Sequence, residues 1–293
     1  MKTRIIRGLI AIGPLFVGAC TTVPTTTSAP SYEPLSGSSA TSTSTLGGIA
    51  MRLNNTTGAV AFAEVSGSLT HNTGSITVND GLYSLTDADG PDSNGTLTDG
   101  TVSLVEMTEA TGAAPLFSGN YDYVRPYQSN YTVAGVNYDV FGSYGIVTSV
   151  ADIPNAGNAV YNGEAGGNLQ TGIGGFSING GTSLVEVDFA AGTVDVTVTG
   201  FTAVDFASGL VITPSFDTVR LTGMGISGNW FGGGSFETLD GPVVVNVVGP
   251  NFFGNSGGNF FGYDATISAP DEVGGGLLVG GDNATITIAF IAD

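Results

Sequence analysis

Alternation of apolar and polar side chains is clearest between Ser183 and Thr199. Ser183, Val185, Val187 and Phe189 fall on one side of an extended chain, and Leu184, Glu186 and Asp188 on the other. After Ala190-Ala191-Gly192, Val194, Val196 and Val198 share one face, and Thr193, Asp195, Thr197 and Thr199 share the opposite one. Side chains alternate across a strand, so this pattern predicts an antiparallel hairpin with one dry and one wet face. A glycine closing the three-residue loop suits a last loop residue with positive φ.

The same device recurs through the second half. Strands are expected at 158–166, 183–189, 194–201, 218–226, 229–237, 259–263, 273–279 and 284–291. A further apolar run at 243–248 is either a paired strand or a buried connection. Eight short antiparallel strands with tight turns can close into a barrel filled by side chains, and closure removes exposed sheet edges. The first half yields strands at 60–70, 75–85, 101–107, 121–124, 131–140 and 144–150. Nowhere is a stripe at i, i+3, i+4, i+7 sustained, so little helix is expected. The fold class is therefore all-β: a β domain over residues 47–150 followed by an eight-stranded antiparallel barrel over residues 151–293. Composition agrees, with 47 glycines in 293 residues and only 11% charged side chains, a balance that favours strands joined by tight turns.

Charge and rare residues remove several functions. Beyond the N-terminal Lys2, Arg4 and Arg7, only Arg52, Arg125 and Arg220 oppose 25 acidic residues. A head with a net charge of about −22 repels nucleic acid and anionic lipid. The one cysteine, Cys20, excludes an internal disulfide and a thiolate metal cluster. The one histidine, His71, is the sole base on which a Ser-His-Asp type triad could be built. Glu186 and Asp188 could be imagined as a glycosidase-like pair, but two-residue spacing on one strand face reads as a solvated stripe. The expectation is a protein that is not an enzyme, with no catalytic residue, no metal site and no cofactor. One loop, Asp87 to Gly95, alternates carboxylates with glycines as calcium loops do. It lacks a closing Glu and carries Pro91 where a ligand would stand, so a wide hairpin tip is the first reading and an adventitious Ca²⁺ site the second.

Residues 1–19 combine three positive charges, an apolar run from Leu9 to Val17 and the small residues Gly18 and Ala19, followed by Cys20. That is the pattern of a secretory signal, and the run is too short for a permanent span. Val17-Gly18-Ala19-Cys20 resembles the lipobox of bacterial lipoproteins. The resemblance implies cleavage between Ala19 and Cys20, lipidation of Cys20 with diacylglycerol and an acyl chain such as palmitate, and, with Thr21 following, the outer membrane. An ordinary secreted protein with a stray cysteine is the alternative. Residues 20–46 are nearly all Thr, Ser, Pro, Ala and Gly, which predicts a flexible tether with a reach of roughly 30 Å.

Three further blocks carry a second resemblance. They are Phe141-Gly142 with Ala151-Asp152-Ile153-Pro154 and Gly157 to Gly163; Val187-Asp188-Phe189-Ala190 with the following Val/Thr strand; and Phe260 to Ala265 with Glu272-Val273-Gly274-Gly275-Gly276. Residues 138–293 resemble the β-barrel domain of bacterial transferrin-binding protein B-like surface lipoproteins. Tyr263-Asp264 stands where that family's turn has Gly-Pro. The resemblance implies a handle-like β domain preceding the barrel, a lipid anchor, and capture of a ligand at the cell surface. The ligand class spans solutes, iron or haem carriers and host proteins, with transfer to a TonB-dependent outer-membrane receptor. No ligand contact of the family maps onto a numbered residue here. Trp230-Phe231, Phe252-Phe253 and Phe260-Phe261 are candidate anchors on the residues alone, since aromatics dominate binding hot spots; core packing is the competing role. Two other readings remain open: an acidic structural coat lipoprotein without a specific ligand, and a barrel that itself spans the membrane, which needs a continuous apolar outer band.

Overall fold

The computed structural model describes residues 30–39, 42–107, 117–118, 121–171, 174–205, 207–212, 218–240, 253–281 and 284–293. Ala19, Cys20, Phe252 and the run at 243–248 lie outside them. The described chain is β throughout, apart from one 3-10 turn at Val150–Asp152.

The first body, the handle, is an antiparallel meander of β1 (Thr43–Asn54), β2 (Val60–Thr70), β3 (Ser75–Asn79), β4 (Ser84–Asp87), β5 (Thr96–Thr98), β6 (Ser103–Glu106), β7 (Val124–Val133) and β8 (Val136–Ile146). The spatial order β4-β3-β2-β1-β8-β7-β6-β5 leaves β4 and β5 as the two edges, although they are consecutive in sequence. The sheet rolls until these edges meet. The Asp87 carboxylate on β4 accepts the Thr98 N–H of β5 at 2.8 Å, and the Tyr83 hydroxyl bonds Asp99 and Thr101. Side chains thereby cover edges that would otherwise pair with other chains. Leu46, Val65, Leu69, Ile76, Val78, Leu85, Leu97 and Leu104 fill the interior with Tyr127, Tyr131 and Tyr144.

Two expected strands prove to be hairpins. Residues 75–85 turn at Asp80, whose Oδ1 accepts the Leu82 and Tyr83 N–H groups at 3.0 and 2.9 Å. Residues 131–140 reverse at Ala134-Gly135, both at positive φ (51° and 80°), the twist that a two-residue hairpin requires. Alternation runs unbroken through both turns, so periodicity alone hides them.

The handle also starts earlier than expected. β1 begins at Thr43, and Leu46 is 1% exposed. Tyr32 and Leu35 pack against the handle core, and the Leu35 N–H donates to the Asp122 carbonyl at 2.8 Å. The boundary drawn at residue 46 is corrected accordingly: residues 30–39 form a strap held to the head. The few large apolar residues in that Thr/Ser-rich segment are the ones that bury.

The second body comprises β9 (Asn158–Thr171), β10 (Gly174–Asp188), β11 (Thr193–Thr199), β12 (Thr202–Asp205), β13 (Val211–Ile212), β14 (Thr218–Ser227), β15 (Trp230–Gly232), β16 (Ser235–Asp240), β17 (Phe253–Phe261), β18 (Glu272–Gly280) and β19 (Ala284–Ala292). Pairing runs β11-β14-β15-β17-β18-β19-β9-β10 and returns through β10 to β11, so the ring closes. β15 and β16 both pair with β14 and act as one strand broken at Gly233-Gly234. The result is the eight-stranded antiparallel barrel expected from the sequence. In the hairpin first read, Val185 faces Val196 and Val187 faces Val194 inside the barrel, and Gly192 has φ +68°. β12 and β13 form an unforeseen flap on the N-terminal part of β10.

Handle and barrel are packed firmly together. β18 reads Glu-Val-Gly-Gly-Gly-Leu-Leu-Val-Gly and is buried at every position. Its glycines and those of β17 make a flat seat. A Cβ on Gly276 would stand 2.7 Å from Met51 Sδ, and one on Gly257 would stand 2.9 Å from Ile49 Cδ1. Both partners lie on β1. Met51, Val124, Phe141, Phe261, Ala289 and Ile291 belong to one apolar cluster between the bodies.

Candidate binding surface and the strap groove

Most of the charged chemistry is committed to holding the fold. Glu272, 3% exposed, accepts the backbone N–H groups of Asp122, Tyr123 and Val124 at 2.6, 2.9 and 2.9 Å. Burial pushes its carboxyl up to about 7, against the pull of those N–H bonds. In the handle, Asp80 takes the Tyr131 hydroxyl, and Glu106 takes that of Tyr144 and lies 3.9 Å from Arg125 Nε.

The calcium-like loop is occupied in the same way. Asp87 accepts Asp89 N–H at 3.0 Å besides Thr98, and Asp92 accepts Asn94 and Thr96 N–H at 2.8 and 3.0 Å. These are turn-forming contacts, and among the described residues no three His, Cys, Asp or Glu side chains gather as a metal site. Glu186 and Asp188 line a shallow groove of about 360 Å³ on the barrel's outer wall with Asp195 and Arg220. Asp188 and Asp195 accept Ala191 and Gly223 N–H at 2.9 and 2.8 Å. The outer wall of β10, β11 and β14 thus carries acids, threonines and an arginine in place of an apolar belt.

The candidate anchors separate. Phe231, Phe260 and Phe261 are fully buried. Phe260 packs against Phe231 and Phe189 inside the barrel, with ring centroids 5.2 and 5.9 Å apart, and Phe261 faces the handle. Trp230 is 41% exposed. Other large apolar side chains stand out at connections: Leu82 in the β3–β4 turn, Leu210 before β13, and Ile267 between β17 and β18. Strand alternation sends Trp230 out and its neighbour Phe231 in.

A second feature was not visible in sequence. The strap, the start of β1 and the segment from Ile146 to Ser149 enclose a groove of about 650 Å³, with Asn229 at its margin. Tyr32 fastens the strap: its hydroxyl donates to Asp152 Oδ2 at 2.6 Å and accepts Ser149 N–H at 2.7 Å. Burial and that carboxylate push the phenol up to about 12. His71, 4% exposed, lies beneath the strap. Its Nδ1 is 3.2 Å from the Gly37 carbonyl and 3.8 Å from Glu33 Oε1, and its Nε2 is 2.8 Å from Ser44 Oγ.

The architecture is thus a rolled β handle rigidly seated on a closed eight-stranded barrel, with a strap at the N-terminal side. No protein-family model and no curated protein matches the chain. Among solved structures it is similar to transferrin-binding protein B of Haemophilus parasuis, at 20% identity and TM-score 0.47 over 84% of this chain and 44% of that one. It is similar to the isotype 1 protein of serogroup B Neisseria meningitidis at 17% and 0.48, over 84% and 43%. HpuA of Kingella denitrificans, solved with human haemoglobin, gives 12% and 0.39 over 86% and 87%. The chain spans less than half the length of the transferrin-binding protein B structures. The likeness is one of fold, and no residue role is carried across.

Proposed function

We propose that this chain is a lipid-anchored protein of the outer membrane whose head captures a protein ligand at the cell surface. Cys20 is the anchor in this scheme, and residues before the strap are the tether. The observation that carries the proposal is the position of the exposed apolar side chains. Leu82, Leu210 and Ile267 lie at strand connections and Trp230 opens β15 beside its turn with β14, where a rigid scaffold presents contact residues; Val160 on β9 and Val211 on β13 are exposed as well. A protein partner suits such scattered tips better than a small solute, which needs an enclosing cavity.

The excess of acidic side chains favours a partner with a basic face. Transfer of the cargo to a TonB-dependent receptor is the step that would follow capture. Transferrin and haemoglobin, the ligands named with the similar structures, are the first cargoes to test. The head from Pro30 to Asp293, immobilised and exposed to serum and to haemoglobin, is expected to retain a defined protein that washes off at high salt. Retention of nothing above a bare matrix would overturn capture and leave the structural coat reading.

A further inference from the structure

The strap groove carries chemistry that ligand capture does not use. We propose that Ser44 is a nucleophile for acyl transfer, with His71 as its general base, and that the groove accepts small esters of neutral alcohols. The hydrogen-bond roles follow from the partners. A carbonyl oxygen only accepts, so Gly37 O at 3.2 Å fixes the proton on His71 Nδ1. Nε2 then presents its lone pair, and Ser44 Oγ at 2.8 Å donates to it. This is the arrangement that activates a serine hydroxyl. Glu33 Oε1 stands 3.8 Å from Nδ1, held by Ser39 N–H at 2.6 Å and by the Ser42 hydroxyl. It is placed to stabilise an imidazolium, as a positioning residue.

Ser44 itself lines the groove. The register explains why it is reachable: β1 pairs with β2 from Thr43 onward, but with β8 only from Leu46 onward. Strand N–H groups alternate between edges, so among Thr43, Ser44 and Thr45 at least one amide points to the side that β8 has vacated. That edge supplies a backbone donor for an oxyanion. The groove lining contains hydroxyls, Ile146, Val147 and one carboxylate, and no Lys or Arg, which selects against anionic esters.

In the reaction, Ser44 Oγ bonds to the ester carbon as its proton moves to His71 Nε2 and the carbonyl electron pair moves onto oxygen. Collapse breaks the bond to the alcohol, which leaves with the proton from Nε2. Water, deprotonated by Nε2, then attacks the acyl-serine, releasing the carboxylic acid and restoring Ser44.

The test uses the full chain, a fluorophosphonate probe read by peptide mass, and p-nitrophenyl acetate. The expected result is an adduct on Ser44 that is absent in Ser44→Ala and forms about 100-fold more slowly in His71→Asn. Ester hydrolysis should follow the same order, with Glu33→Gln lowering kcat at unchanged KM. Ser44→Ala should melt at the wild-type temperature, and it carries the decision if His71→Asn unfolds early. Absence of a Ser44 adduct, or hydrolysis undiminished in Ser44→Ala, would overturn the proposal.

Discussion

Three backbone N–H groups of the handle converge on the two oxygens of Glu272 at the start of β18. Glu272→Ala strands all three in a buried junction and is expected to lower the stability of the head by about 3 kcal/mol, read as a shift in denaturant midpoint. The carboxyl also makes the junction respond to pH. Its value is about 7 in the folded head against an ordinary 4.5, so the folded state binds the proton more tightly. Its contribution to stability is complete below about pH 4.5 and is lost as pH rises towards 7. The stability advantage of wild type over Glu272→Ala should shrink as pH rises across that window and stay constant outside it; a flat or growing difference from pH 4 to 8 would contradict the assignment. Sequence showed Glu272 beside its glycines, but not that its partners lie some 150 residues earlier. His71 stands out in the sequence as the one histidine, but its partners Ser44 and Glu33 do not, since a meander and a strap bring them together.

Elements were readable where one face is wet. β10 and β11 are legible because Val185, Val187, Val194 and Val196 alternate with acids and threonines. Ends were less legible: β10 runs back to Gly174, where glycines replace the alternation. β18 has no wet face at all, its inner side lying on the barrel core and its outer side under Met51 and Val124 of the handle. Its glycines are there for close approach. Gly276→Val is expected to cost about 2 kcal/mol by driving a branched side chain into Met51. The cost of the Gly276→Val, Met51→Ala pair should fall below the sum of the single changes. Strict additivity in the double-mutant cycle would contradict direct packing of the seat. In the handle, the turn at Ala134-Gly135 escaped notice because Ala at positive φ carries none of the usual Asn-Gly signal.

At the scale of the whole molecule, the barrel, the glycine seat and Glu272 make one head from two sheets, and Leu82, Leu210 and Ile267 are exposed at its connections. The proposed capture assigns recognition to the loops and leaves the sheets as scaffold. The order of the two bodies was legible from composition and from the three sequence blocks. The rolled closure of the handle was not, because it rests on single side-chain bridges such as Asp87 to Thr98. The most direct test of capture by the loops is the affinity of the retained protein for the wild-type head and for Trp230→Ala combined with Leu210→Ser. A drop of at least about 10-fold at an unchanged melting temperature is predicted. Equal affinity in the two heads would contradict the placement of the binding surface.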